Sequence, residues 1–170
     1  MRSAAFLAAL LLSPCAISVA ATADEFVAVR VPLGTDTDRC TGCELVRVDP
    51  DGQMTVLTQG FAAAKDPSVS FDGRTILFAG RPGEDDRWQI WRFDADGSNP
   101  VKILVDAGNA NAPLPVGSLF HLDDAKPSSR FVYLSDAHGW ADPITGAAAT
   151  ALYAADLDGS NSRRISFNIG

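Results

Sequence analysis

The chain has 170 residues, 46% hydrophobic and 21% charged, and a formal net charge of -7. That length accommodates one modest domain, and the composition is that of a globular protein rather than a disordered one. Arg163-Arg164 is the sole basic pair, which argues against nucleic acid and anionic membrane surfaces as partners, since both require a positive footprint.

Residues 1–23, MRSAAFLAALLLSPCAISVAATA, carry one positive charge at Arg2, an apolar run from Ala4 to Leu12, and then small residues. Ala21 and Ala23 stand three and one positions before Asp24, completing the three-part pattern of a secretory signal. The apolar run falls short of the ~18–20 residues that span a bilayer, so no membrane span is expected. Cys15 in LSPC has the outline of a lipobox, although Pro14 occupies a position that normally holds a small residue; a lipidated form is the alternative. Cleavage near Ala23 leaves residues 24–170 periplasmic or secreted.

The mature chain opens on a β-rich run, FVAVRV (Phe26 to Val31), followed by Cys40-Thr41-Gly42-Cys43. A haem attachment motif requires histidine next, and Glu44 stands there. A structural zinc site needs about four ligands, and the two histidines, His121 and His138, are remote in sequence. A redox role of the thioredoxin kind calls for a helix after the pair, but a strand pattern follows. In an oxidising compartment Cys40 and Cys43 are expected to form a small disulfide on an exposed hairpin loop.

From Glu44 onward, hairpins recur. ELVRVDPDGQMTVLT, QIWRFDADGSNPVKIL and ALYAADLDGSNSRRIS each place an alternating apolar strand before an Asp-x-Asp-Gly turn and a second strand after it. Gly52, Gly97 and Gly159 suit the positive-φ position such turns need. Upstream of each lies a run rich in β-branched and aromatic residues: Phe26 to Val31, Thr75 to Gly80, and Phe131 to Asp136. Ahead of the second run, Ser68 to Phe71 reads as a further short strand turned by Asp72-Gly73. Ahead of the third, Ser118 to Leu122 reads the same way, with Lys126 to Ser129 replacing the tight turn. A unit is therefore four antiparallel strands, the pattern of a β-propeller blade. The expected fold is all-β, with about three blades at 24–60, 61–108 and 114–170, the first lacking its innermost strand.

Two connections stand out. Arg81-Pro82-Gly83-Glu84-Asp85-Asp86-Arg87-Trp88 offers oxygen ligands to a hard cation, but a solvated loop with local ion pairs is the expected reading. Within it Arg81, Asp85, Asp86 and Trp88 are candidate binding residues, while Trp88 and Trp91 read as packing on one blade face. His138 to Gly146 is the most loop-like insertion, and His138, Trp140 and Asp142 are its candidates, since binding specificity gathers on loops. His121 reads as a hydrogen-bonded core residue. No nucleophile motif accompanies these groups, so no catalytic, metal or cofactor residue is assigned.

SFDGRTILFAG followed by WQIWRFDADGS resembles the TolB-type propeller repeat, with Phe71 where that repeat carries proline. The third unit matches in its second half and departs at Lys126 to Ser129. Asp66 to Asn99, with Leu152 to Ser166, is also similar to the propeller portion of proteins related to the hydrazine synthase alpha subunit. The resemblance implies an exported binding or scaffolding module whose loops or central channel contact a protein partner; the alternative is a part of a redox enzyme subunit of the second kind. Closed propellers need roughly four to eight blades. Three are expected to be the N-terminal part of a longer protein, with the missing remainder of the propeller as partner, or else several copies completing one ring.

Overall fold

The computed structural model describes residues 25–35, 40–103, 108–119 and 128–166. Among them are eleven strands and no helix: β1 (Phe26–Arg30), β2 (Glu44–Val48), β3 (Met54–Val56), β4 (Ala63–Val69), β5 (Thr75–Arg81), β6 (Gln89–Asp94), β7 (Val101–Lys102), β8 (Ala110–Leu119), β9 (Ser128–Ser135), β10 (Ala151–Asp156) and β11 (Arg163–Arg164). They form three antiparallel sheets in chain order, β1-β2-β3, β4-β5-β6-β7 and β8-β9-β10-β11. Each is a blade, and the first has three strands. The ring is not closed.

The three Asp-x-Asp-Gly turns share one geometry. The carbonyls of Asp49, Asp94 and Asp156 accept the N–H groups of Gly52, Gly97 and Gly159 at 2.8–3.0 Å. Those glycines sit at φ 81°, 86° and 85°, a region costly for any residue with a Cβ. The side chains of Asp94 and Asp156 then accept the amide N–H of Asn99 (2.7 Å) and Asn161 (2.6 Å). The β4–β5 turn uses another device: Asp72 Oδ1 accepts from Ser70 Oγ (2.6 Å) and the Arg74 N–H (3.1 Å).

Side-chain alternation explains why TILFAG is apolar throughout. Ile76 and Phe78 point towards the first blade, joining Val27, Leu45, Ala64 and Phe93. Leu77 and Ala79 point the other way, joining Ile90, Ile103, Phe131, Tyr133 and Tyr153 between the second and third blades. A strand covered on both faces needs apolar residues at every position, whereas β1, with Phe26 and Arg30 exposed, has its cover on one. Backbone bonds tie the layers together. The Ala64 N–H donates to the Cys43 carbonyl, and the Ala110 N–H to that of Trp88, both at 2.8 Å.

The inner strands depart from expectation. β4 begins at Ala63 and β8 at Ala110, well before the predicted Ser68 and Ser118. Pro67, Pro113 and Pro115 lie within them, residues that read as strand breakers. Pro67 and Pro113 sit at bulges, where Asp66 and Ala112 take φ 52° and 50°, and Pro115 pairs in register with Phe131 on a strand at the edge of its sheet. Asp66 Oδ2 accepts the Ala112 N–H at 3.1 Å, so the two irregularities brace each other. Residues 1–23, expected to be a signal and including Cys15, and His121 lie outside the described residues.

Candidate binding site

The connections from β1 to β2, from β5 to β6 and from β9 to β10 lie at one end of the sheets, and the sequence placed all its candidate residues there. The bonds from Ala64 to Cys43 and from Ala110 to Trp88 set the first two of these connections against the start of the next blade's inner strand. In the first blade Cys40 and Cys43 are joined as a disulfide with Cα atoms 5.3 Å apart. Both are buried, unlike the exposed pair expected, because the Cys43 carbonyl is pinned to the neighbouring blade. A loop of this size removes little chain entropy, about 2 kcal/mol. Replacing both cysteines by alanine is therefore expected to cost roughly that amount in urea unfolding. Alkylation in denaturant without reductant is expected to leave both sulfurs unlabelled; labelling of both would show free thiols.

In the second blade, Arg81 and Trp88 hold the connection in place. Arg81 Nη1 donates to the Glu84 carbonyl at 2.9 Å, and its Cζ lies 5.0 Å from the Trp88 ring, with Lys65 Nζ 4.8 Å away. Asp86 Oδ2 accepts the Gly83 N–H at 2.7 Å, closing the turn, and Asp85 is exposed. Trp88 packs against the core between the second and third blades, and Trp91 against that between the first and second. Three residues apart on a strand, they face opposite ways rather than sharing one face.

In the third blade, residues 140–149 form a small hairpin, bridged at Ala141 and Ala148. Asp142 Oδ1 accepts the N–H groups of Ile144 (2.8 Å) and Thr145 (2.7 Å), bonds that hold its carboxyl below the usual aspartate range. That carboxylate builds the turn. The His138 ring meets Trp140 edge-on at 5.2 Å, and Arg164 Cζ lies 4.6 Å from the Trp140 ring. Trp140 is pinned yet 43% exposed.

A hollow of about 490 Å³ opens where the second and third blades meet, lined by Arg87, Asn109, Asp136 and Trp140 over a floor of small residues that includes Gly108 and Gly139. Asp136 accepts the Asn109 N–H on Oδ1 (2.7 Å) and its Nδ2–H on Oδ2 (2.9 Å). Asn109 Oδ1 in turn accepts the Trp88 N–H at 3.1 Å. The network fixes the wall, and both Asp136 oxygens are engaged in it. Arg87 has no ion pair among the described residues, so the hollow presents one available guanidinium beside one anchored indole. Of the predicted candidates, Trp140 lines it; Arg81 and Trp88 support it. Sequence reading missed Arg87, Asn109 and Asp136, which belong to three different connections. Among the described residues no group of three or more His, Cys, Asp or Glu is placed to hold a metal ion, and no helix is long and apolar enough to cross a membrane.

No protein family model matches the chain. Over 62 residues, 36% of its length, it is 34% identical to hydrazine synthase subunit alpha of Kuenenia stuttgartiensis, and the match covers 8% of that protein. Among solved structures it resembles Kuenenia stuttgartiensis hydrazine synthase with a TM-score of 0.68 at 18% identity, over 89% of this chain and 26% of that one. It resembles a putative TolB from Agrobacterium tumefaciens with a TM-score of 0.56 at 22% identity, over 83% of this chain and 44% of that one. The chain thus spans about a quarter of the hydrazine synthase chain and under half of the TolB chain. What the three sheets share with both is the β-propeller fold, of which they are consecutive blades.

Proposed function

We propose that the protein is an exported propeller module that binds or scaffolds a protein partner, with no reaction carried by its own side chains. The hollow carries this reading: its polar groups are spent on shaping a wall, while Arg87 and Trp140 remain presented to a partner. Arginine and tryptophan are the residue types that most often anchor protein interfaces. Residues 1–23 act as the signal, removed before Asp24, and residues 24–170 work in the periplasm or outside the cell.

The test is a photo-crosslinking amino acid placed at position 140 and, as a control, at exposed Phe71 in the β4–β5 turn at the far end of the blades. In the source organism, a discrete adduct from position 140, lost on Arg87→Glu, is expected. Adducts of equal yield from both positions, or none from position 140, would overturn the reading. The identity to hydrazine synthase subunit alpha supports a second reading, a propeller portion of a redox enzyme subunit. A Cys-x-x-Cys-His haem motif in frame with this chain would favour it.

A further inference from the structure

The sequence holds four Asp-Gly pairs, at 51–52, 72–73, 96–97 and 158–159. Each closes a turn on the same backbone. The glycine N–H donates to the carbonyl of Asp49, Ser70, Asp94 or Asp156 at 2.8–3.0 Å, and the glycine takes φ 81°, 70°, 86° or 85°. What differs is the use of the aspartate side chain. Asp72 Oδ1 is held by Ser70 Oγ and the Arg74 N–H. Asp96 Oδ1 accepts the Ser98 N–H at 2.9 Å. Asp158 Oδ1 accepts the Ser160 N–H at 2.9 Å and its hydroxyl at 2.6 Å.

The first blade breaks this pattern. Gln53 stands where the other hairpins carry Ser98 and Ser160, and its N–H goes to Asp49 Oδ1 at 2.8 Å. The same oxygen accepts the Asp51 N–H at 3.0 Å. Asp51 is exposed, and its own carboxylate has no hydrogen bond or ion pair among the described residues. Space is also open here. A Cβ built at Gly52 would meet nothing within 4 Å, whereas one at Gly97 would lie 2.8 Å from Leu57 Cδ2.

An aspartate before glycine can react with its own backbone, because glycine has no Cβ to keep the next nitrogen away from the carboxyl. The Gly52 nitrogen attacks Asp51 Cγ and a C–N bond forms. The carboxyl hydroxyl leaves with the amide proton as water, and a five-membered succinimide remains. Water then opens the ring at either carbonyl. Breaking the Cγ–N bond restores aspartate; breaking the bond from nitrogen to the main-chain carbonyl carbon gives isoaspartate, with the chain running through Cβ. The net change is an isomerisation that needs no oxidant and no reactant besides water. It demands a carboxyl free to turn onto the nitrogen and protonated enough to lose its oxygen as water. Asp72, Asp96 and Asp158 are tethered, and the bonds that tether them hold them below the ordinary aspartate value.

We propose that Asp51 is a site of self-modification in this chain, converting to isoaspartate ahead of the other three Asp-Gly pairs. The added main-chain atom falls inside the turn closed by the Gly52–Asp49 bond and by the Asp49 N–H to the Gln53 carbonyl at 3.1 Å. Beyond the turn, β3 is the edge of its sheet and is held to β2 through three residue pairs. Leu57 follows it and lies against the turn at Gly97. Conversion therefore loosens the edge of the first blade and its contact with the second.

Peptide mapping of the folded protein during incubation in mildly acidic buffer reads all four pairs in one digest. Isoaspartate is recognised by its resistance to a protease that cleaves before aspartate and by its fragment ions under electron transfer. Conversion at Asp51 is expected to run about tenfold faster than at the other three, the factor that one hydrogen bond of ordinary net strength represents. In urea, where the turns are undone, the four rates are expected to converge. Gln53→Ser, which supplies a hydroxyl donor, is expected to slow Asp51, and Ser160→Gln to speed Asp158. Equal rates in the folded protein, a lead for Asp51 that survives in urea, or rates indifferent to both substitutions would each overturn the proposal.

Discussion

Phe78→Ala is expected to lower the unfolding free energy by about 3–5 kcal/mol. The side chain is fully buried at the centre of β5, with ring centroids 4.6 Å from Phe93 and 5.4 Å from Phe61. Phe61 in turn meets Trp91 at 4.9 Å, so truncation opens a void inside an aromatic cluster that joins two blades. The clustered rings contribute beyond the area they bury, and backbone paired on both sides leaves little room to collapse into the cavity. Against a total stability of roughly 5–15 kcal/mol for a domain, the loss leaves a large unfolded fraction at moderate temperature. Urea unfolding followed by tryptophan fluorescence measures it. Phe71→Ala, at a ring 79% exposed, is the control, expected within about 0.5 kcal/mol of the parent. Equal effects at the two positions would mean that the interface between the first two blades is not the packed layer described.

Gly108→Ala is expected to cost about 2–4 kcal/mol and to abolish partner capture through the hollow. A Cβ at Gly108 would lie 2.3 Å from Asp136 Oδ1 and 2.5 Å from the Ala137 backbone nitrogen. The carboxylate is held by two bonds from Asn109, and the backbone cannot withdraw. The added methyl must therefore break the Asn109–Asp136 pair, leaving half-buried donors without acceptors, and release the wall that positions Arg87 and Trp140. Gly117→Ala, in β8 with nothing within 4 Å of its Cβ, is expected to be neutral or slightly stabilising, as it restricts the unfolded chain. Denaturation midpoints and crosslinking yields from position 140, compared across the two variants, check the expectation. Gly108→Ala retaining full stability and full yield would refute the role assigned to the network.

The parts of the fold legible in sequence are those whose chemistry is local. An Asp-x-Asp-Gly turn carries its own hydrogen bonds and its own positive-φ glycine, so three copies announce three hairpins. The apolar runs at Thr75 and Phe131 are legible because burial on both faces removes polar alternation. The inner strands were misplaced because Pro67, Pro113 and Pro115 speak locally against pairing, and the bulges that admit Pro67 and Pro113 depend on the adjacent blade. Arg87 was passed over for its neighbours because strand register, invisible in the loop itself, decides which side chain turns into the hollow. Asn109 and Asp136 lie 27 positions apart and meet because β8 pairs with β9, with Ala110 opposite Ser135. Asp142 carried the opposite hazard: an acid beside a histidine reads as a site, and its oxygens are used up by the nearest backbone.

The turn aspartates also make folding a proton-releasing event. Asp72, Asp96 and Asp158 have carboxyls held below the ordinary aspartate value, chiefly by bonds from Ser70, Ser98 and Ser160. An acid whose affinity for protons falls on folding stabilises the native state fully above its unfolded pKa, about 3.9, and less as pH drops through the lower folded value. Neutral and mildly acidic media therefore leave the hairpins intact. Below about pH 4 the unfolded chain takes up protons that the folded turns refuse, and mass action draws the equilibrium towards it. Because these three aspartates cap turns at the same end of the second and third blades, acid loosens both blades together, from the end opposite the hollow.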